Sequence, residues 1–546
     1  MYDSKAHLVP SKTSVDELLK QVSKINNQTG TATEIRYLND NEIYLNTTTT
    51  NLRKINMLLN RSHRLPLVNL FANDERALNG HFTLYYTYAQ HLLNKFIIIT
   101  VPITEDDPTF PSITPITPAA DKYEREIRDL FALEPLEHPN PTDLIYHGNW
   151  LDHPAHLRKD VTDMTKPPLP AAKDVPAPEL TTFSDTDTYQ IPVGPIHAGV
   201  IEPGHFRFTV AGEPIINLQT KMHYTHKGTE KLAEQMDIYR AFYLSERISG
   251  DETFANSLAY SLAIEKIAQI NVPLRAQHTR IVLAELERII SHFGDLAGIA
   301  GDTANLFISS QFNMLRIWGY NLAHYLTNTR FLRSCNKLGG IRQDFLLGKE
   351  KGAIEQLNNI RKEIIDTAEM SNNDTMFLDR LESTGVLYSH VAYDLNATGI
   401  AGRASGLDYD VRKNHPYSSY DSFKFGMHHL DCGDVSCRFN LRLEEALTSV
   451  NLMINVIENM ADGDLSVPLP EKFPAYHYAY GITEAARGEN MHWVMTGENN
   501  MIYRYKIRTP SYCNWLAVPY AVNTNLVTDF PLINKSFNLS YSGNDL

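Results

Sequence analysis

Cysteine is scarce in this chain, four in 546 residues, at Cys335, Cys432, Cys437 and Cys513. Thiols so few and so scattered exclude a disulfide framework and point to a reducing compartment; none of them forms a C-x-x-C pair. Cys432 and Cys437, five apart in "DCGDVSCR", are expected as core thiols rather than metal ligands. Long apolar runs are missing as well. The longest, "FIIITVPI" from Phe96, is far short of a bilayer span, and the N-terminal "MYDSKAHLVPSK" lacks the apolar core of a secretory leader. Positive charge is in deficit: 50 Lys and Arg stand against 64 Asp and Glu, a formal charge of −14. That balance excludes the clustered basic surface that nucleic acid requires. There is no Walker sequence, no G-x-G-x-x-G after a strand and no H-E-x-x-H, so no general motif names an enzyme class.

What is present divides the chain in two. Residues 1–165 carry short apolar runs between polar turns, "LPLVNLFAND", "HFTLYYTYAQHLL" and "KFIIITVPI", and read as strands and a helix of an α/β domain. Residues 166–188, "KPPLPAAKDVPAPELTTFSDTDT", are rich in Pro, Ala, Ser, Thr and Asp with little to bury, which marks a linker. Residues 189–546 open with a small sheet, "IPVGPIHAGVIEPGHFRFTVAGEPIINL", and become mainly helical beyond Gly228. The expected class is therefore α+β. In "TRIVLAELERIISHFGDL", Val282, Leu286, Ile289, Ile290 and Phe293 form an apolar stripe, and Glu285, Glu287, Arg288 and His292 are expected on a solvated face.

The stretch Tyr123–Asp160, "YEREIRDLFALEPLEHPNPTDLIY…HPAHLRKD", resembles the short peripheral-arm subunit of respiratory complex I and its fused counterpart in formate hydrogenlyase. From Gly194 on, "GPIHAGVIEPGHFRF", "HYTHKGTEKLAE", "SLAYSLAIEKI", "RAQHTRIVLAELERIISH", "CGDVSCR" and "EAARGENMHWVM" resemble the large subunit of membrane-bound NiFe hydrogenases and the related complex I subunit. The two halves stand in the order of the fused large subunit of the formate hydrogenlyase and hydrogenase-4 group.

The resemblance implies a nickel site held by two C-x-x-C pairs, whose positions here are Ser249 and Glu252, and Ser540 and Gly543. All four thiolates are gone, and Asn256 stands where the first motif carries its histidine. Hydroxyl, carboxylate and glycine do not replace soft anionic ligands. In "SGDETF" the residues themselves suggest a capping box, Ser249 opening a helix and Glu252 folding back to its N–H. By the same resemblance Glu230 of "THKGTEK" and Arg487 of "EAARGE" line the old metal pocket together with Glu252, and one of the carboxyls there is expected to titrate toward neutrality. The complex I relative offers a histidine and a tyrosine to its quinone; the corresponding positions are near Pro203 and at Gly250, so His197, His205 and His226 are the candidates for an acceptor pocket. Glu285, Glu287, Arg288 and His292 match a chain of charged residues that runs toward the membrane arm.

These residues imply a metal-free subunit of a complex I-like electron-transfer complex. The chain itself would bind no cofactor; it would take electrons from an iron-sulfur cluster in a small partner subunit, pass them to a quinone or similar acceptor, and sit on the cytoplasmic face of the inner membrane through antiporter-like membrane subunits. A non-catalytic scaffold is the alternative, and an active nickel hydrogenase has the ligand chemistry against it. A cavity that keeps its charges favours the first; one filled by Phe, Leu and Met favours the scaffold.

Overall fold

The computed structural model describes residues 13–147, 155–161, 187–197 and 201–546. The expected linker, but for its last two residues, lies outside them. In the first half, helix α1 (Val15–Gln28) starts at Ser14, whose Oγ accepts the N–H of Glu17, and buries Leu18, Leu19 and Val22. The chain then builds β1 (Ile35–Tyr37), β2 (Glu42–Asn46), helix α2 (Thr49–Asn56), β3 (Leu67–Asp74), β4 (Phe82–Gln90) and β5 (Lys95–Ile103). They form one sheet in the order β1-β2-β5-β4-β3, in which only the β2–β5 pair is parallel. Helix α3 (Asp121–Phe131) follows.

The near-continuous apolar runs of β3, β4 and β5 have a physical reason: both faces of the sheet are covered. Leu70, Leu84, Tyr86, Ile97 and Ile99 face the core that contains Leu18, Val22 and Ile127. The alternate residues Val68, Phe71, Tyr85 and Ile98 face a second core shared with Tyr480, Ile482, Met491 and Trp493 from the far end of the chain. Phe71 stacks on Tyr85 with ring centroids 4.9 Å apart, and Trp493 lies 4.9 Å from Phe71. The two halves are thus joined by a common apolar core.

The second half opens with an antiparallel sheet of β6 (Thr188–Val193), β7 (His205–Ala211) and β8 (Ile215–Lys221). Five long helices follow: α4 (Thr253–Ile267), α5 (Leu274–Asp302), α6 (Leu306–Thr327), α7 (Glu350–Asn373) and α8 (Val435–Glu458). The meander β9 (Tyr478–Ala485), β10 (Gly488–Thr496), β11 (Ile502–Arg508) and a last turn of helix, α9 (Tyr541–Asp545), complete it. Strand β9 lies directly on α4, because Gly481 has no Cβ; one there would stand 1.8 Å from the carbonyl oxygen of Ala259.

Helix α5 departs from the amphipathic expectation. It is packed on every side, so Glu285, Arg288 and His292 are buried rather than solvated. Glu285 and Arg288 stay charged inside because each finds partners, whereas burial pushes the His292 ring toward its neutral form despite the bond to Glu445. A second correction concerns Cys432 and Cys437, which are joined as a disulfide. Gly433, with φ +68°, turns the chain back on itself there, and Asp434 caps α8 by accepting the N–H of Cys437 at 2.8 Å. Cys335 and Cys513 are free and buried, as expected of core thiols.

Candidate functional site

Three elements converge on the turn Ser249–Glu252. The hydroxyl of Ser249 lies 3.0 Å from that of Ser540, and a Cβ on Gly543 would stand 3.7 Å from the Cβ of Ser249. Glu252 immediately precedes α4. Positions 291 residues apart are therefore gathered at one point. The third element is the β9–β10 hairpin: Ala485 pairs with Gly488, which leaves Ala486 and Arg487 at the tip. Gly488 has φ +132°, and a Cβ there would meet Thr398 Oγ1 at 2.5 Å and Gly399 N at 2.6 Å. Only glycine lets the hairpin tip seat this closely and aim Arg487 at the turn.

Arg487 binds two carboxylates. Its Nη2 is 2.5 Å from Asp251 Oδ2, its Nη1 is 3.4 Å from Glu252 Oε1, and its Nε donates to the carbonyl of Asn538. Asp251 also accepts the hydroxyl of Ser249 at 2.6 Å. Burial raises the Glu252 carboxyl above its ordinary value, and neighbouring Asp251 adds to the effect against the pull of Arg487. Glu287, from α5, accepts the N–H groups of Phe254 and Ala255 at 2.6 and 2.9 Å. Burial outweighs those two bonds and pushes the Glu287 carboxyl up to about 8. Beside these groups lies a cavity of about 190 Å³ whose walls include Gly250, Asp251, Glu287, Asp295, Arg316 and Arg330.

Several expectations need correction. Ser249 does not open a helix: α4 begins at Thr253, Ser249 bonds to Asp251 and Ser540, and Glu252 turns toward Arg487 instead of back to the Ser249 N–H. The cap comes from α5 instead, because the carboxylate of Glu287 satisfies two orphan donors of α4. Ser540 is the serine that does cap, accepting the N–H of Gly543 at 2.9 Å at the start of α9. Glu230 does not share the pocket with Arg487. It pairs with Arg504 at 2.7 Å and Lys506 at 3.3 Å, both on β11, and although burial opposes ionisation these two cations hold its carboxyl below the ordinary value. Around the Ser249–Glu252 turn, the carboxyls that burial raises are Glu252 and Glu287.

The three acceptor-pocket histidines are not grouped either. His197 Nε2 is bonded to the carbonyl of Gly204 and His205 Nδ1 to that of Gly194, so both are spent holding the β6–β7 connection. His226 lies elsewhere, its Nδ1 2.6 Å from the carbonyl oxygen of Asp545. The helix positions fare better. Glu285 binds Arg412 at 2.9 Å and Arg288 at 3.2 Å and accepts hydroxyls from Tyr420 and Ser449; His292 binds Glu445 at 3.2 Å, and Glu445 binds Arg403 at 2.6 Å. Asp295 binds Arg442 at 2.9 Å and also receives Asn538. Facing pairs Asp295–Arg442, His292–Glu445 and Glu285–Ser449 thus step along α5 and α8 away from the cavity. Glu287 stands apart from this row, on the α4 side.

Asp251, Asp295 and the pair Arg504 and Lys506 escape a reading by motif. The last two had a signal, since "RYKIR" places three cations at every second position of a strand and so on one face. Asn256 donates to the carbonyl of Glu252 at 2.7 Å, and its Oδ1 lies 3.2 Å from His492 Nε2, a polar support under the turn.

A nickel-iron centre does not fit this donor set. Two neutral hydroxyls and a glycine stand where four thiolates are needed, and the one anionic ligand position, Glu252, already faces a guanidinium that is permanently charged.

The chain is similar to known proteins over most of its length. The family described as respiratory-chain NADH dehydrogenase, 49 Kd subunit, matches residues 311–477 and 470–545, and that described as the 30 Kd subunit matches residues 46–166. Formate hydrogenlyase subunit 5 of Escherichia coli is 34% identical over 478 residues, covering 87% of this chain and 84% of the relative. Hydrogenase-4 component G of Escherichia coli is 33% identical over 484 residues, covering 87% and 83%. The C/D subunit of the NADH-quinone oxidoreductase of Erwinia tasmaniensis is 28% identical over 518 residues, covering 85% of each.

Proposed function

The chain belongs to the family of formate hydrogenlyase subunit 5 and hydrogenase-4 component G, and on that premise we propose that it is a nickel-free electron-transfer subunit of a membrane-associated, complex I-like assembly. It takes electrons from an iron-sulfur cluster in a small partner subunit and delivers them to a quinone or similar two-electron acceptor in the cavity beside Glu252. Antiporter-like membrane subunits complete the assembly and hold the chain at the cytoplasmic face of the inner membrane. Among the described residues no helix is long and apolar enough to cross a membrane itself.

One observation carries this reading. Ser249, Ser540 and Gly543, three of the four positions read as former ligands, meet at one point, and the space beside their turn is walled by Asp251, Glu287, Asp295 and Arg316 as well as by Ile290, Phe331 and Leu332. Reducing a quinone requires protons delivered with the electrons, and burial raises the carboxyls of Glu252 and Glu287 toward the protonated form. Glu287, which walls the cavity, and Glu252, which follows the wall residue Asp251, are the groups fitted to supply them, and the facing polar pairs along α5 and α8 offer a route for refilling them. Elemental analysis of the complex purified with its iron-sulfur partner is expected to find no stoichiometric nickel while an added water-soluble quinone is reduced. About one nickel per chain would overturn the nickel-free reading, and a complex that assembles but reduces no quinone would make the chain a scaffold.

A further inference from the structure

A second and larger cavity, about 500 Å³, lies between the two halves and has no part in the proposed quinone reduction. Its walls come from α3, from residues 145–147 and 156–157, from the segment His223–Lys231 and from the last three residues of the chain. His223 is its unusual feature. The side chain is buried and lines the cavity, yet neither ring nitrogen has a hydrogen-bond partner among the described residues. The nearest carboxylate oxygen, Asp545 Oδ1, is 4.0 Å from Nδ1. An imidazole always carries at least one N–H, and a buried one left unpaired is costly. The residue is nevertheless held firmly, with φ at +70° and the preceding carbonyl, that of Met222, bonded to His147 at 2.6 Å.

The charges around it say what would complete the site. Each carboxylate on the wall is already neutralised or bonded: Glu126 by Lys506, Glu230 by Arg504 and Lys506, and Asp545 by the N–H and hydroxyl of Thr225 and by Asn544. Lys227 has no such partner; its ammonium reaches only the carbonyls of Ser542 and Ile248, at 3.3 and 3.5 Å, and no carboxylate within 4.0 Å among the described residues. A ring N–H without a partner among the described residues and an ammonium with no carboxylate within 4.0 Å therefore line the same cavity as the apolar side chains of Leu130, Ile145 and Leu157. A metal ion is a poorer match. Among the described residues the one cluster of three ligand atoms within 4.8 Å is Cys432, Asp434 and Cys437, and no group of these histidines reaches that closeness.

We infer that the cavity between the two halves binds a small organic monoanion, a carboxylate with a short apolar body, whose oxygens meet His223 and Lys227 while its body rests on Leu130, Ile145 and Leu157.

The test is calorimetric titration of the full-length chain in its complex with benzoate, against benzamide as the neutral isostere, at fixed ionic strength. Benzoate is expected to bind saturably and at least about tenfold more tightly than benzamide, as charge-assisted hydrogen bonding to the carboxylate provides. Lys227→Met is expected to abolish the preference for the anion. His223→Asn, which suits the left-handed backbone, is expected to weaken benzoate by a similar factor. Thermal unfolding of both variants establishes that they are folded. Absence of saturable binding, equal binding of benzamide, or an unchanged preference in both folded variants overturns the inference, and none of these outcomes bears on quinone reduction at the other cavity.

Discussion

Glu287 shows how a single side chain serves two purposes. Its carboxylate closes the start of α4, yet burial lifts its titration to about 8 from an ordinary 4.5. Between those two values the folded chain keeps a proton that the unfolded chain has lost, so the folded state binds more protons and stability falls as pH rises across that window, then levels off above it. Denaturant midpoints measured from about pH 5 to pH 9 should decline for the native protein and stay flatter for Glu287→Gln. Glu230 behaves in the opposite sense. Replacing it with Gln leaves Arg504 and Lys506 buried around a lost anion, and a loss of about 3 kcal/mol in urea unfolding is expected; a change near zero would mean that Glu230 is not a structural anchor. The misplacement of Glu230 and of the Ser249 cap has one origin. Spacing along the chain makes local partners visible, such as the S-x-x-E pattern, but the partners that win are 32 to 33 residues away on α5 or 274 away on β11, and no local pattern encodes them.

At the scale of elements, the fold was legible where periodicity is strong and one-sided. The runs of β3 and β5 and the helix α5 stand where the hydrophobic pattern puts them. Their surroundings were not legible: α5 has an apolar stripe, but its polar side is buried too, because charged residues on α8 and on the segment around Arg403 and Arg412 arrive from afar to pair with it. The hairpin that carries Arg487 depends on one glycine. Gly488→Ala would force a Cβ into Thr398 and Gly399 at a backbone angle that side chains avoid, so the tip must lift. A cost of about 2 kcal/mol in stability is expected, together with loss of the Arg487 to Asp251 contact, read as faster amide exchange in β9 and β10. Unchanged exchange would show that the tip is not wedged.

At the scale of the whole molecule, the chain belongs to a family whose two halves fold around a shared core, and the turn Ser249–Glu252 gathers a guanidinium, Arg487, and three acids, Asp251, Glu252 and Glu287. The family was readable from ordered motifs spread over both halves. What the vacated site became was not readable, since that depends on which distant charges fold into it. The direct test of the central claim is the steady-state rate of quinone reduction by the assembled complex, native against Glu252→Gln, across pH. If Glu252 delivers protons beside the cavity, the variant assembles normally but loses about a hundredfold in rate, and the alkaline limb of the native profile, where the donor has lost its proton, disappears. An assembled Glu252→Gln complex with the native rate and the native pH profile would contradict the account.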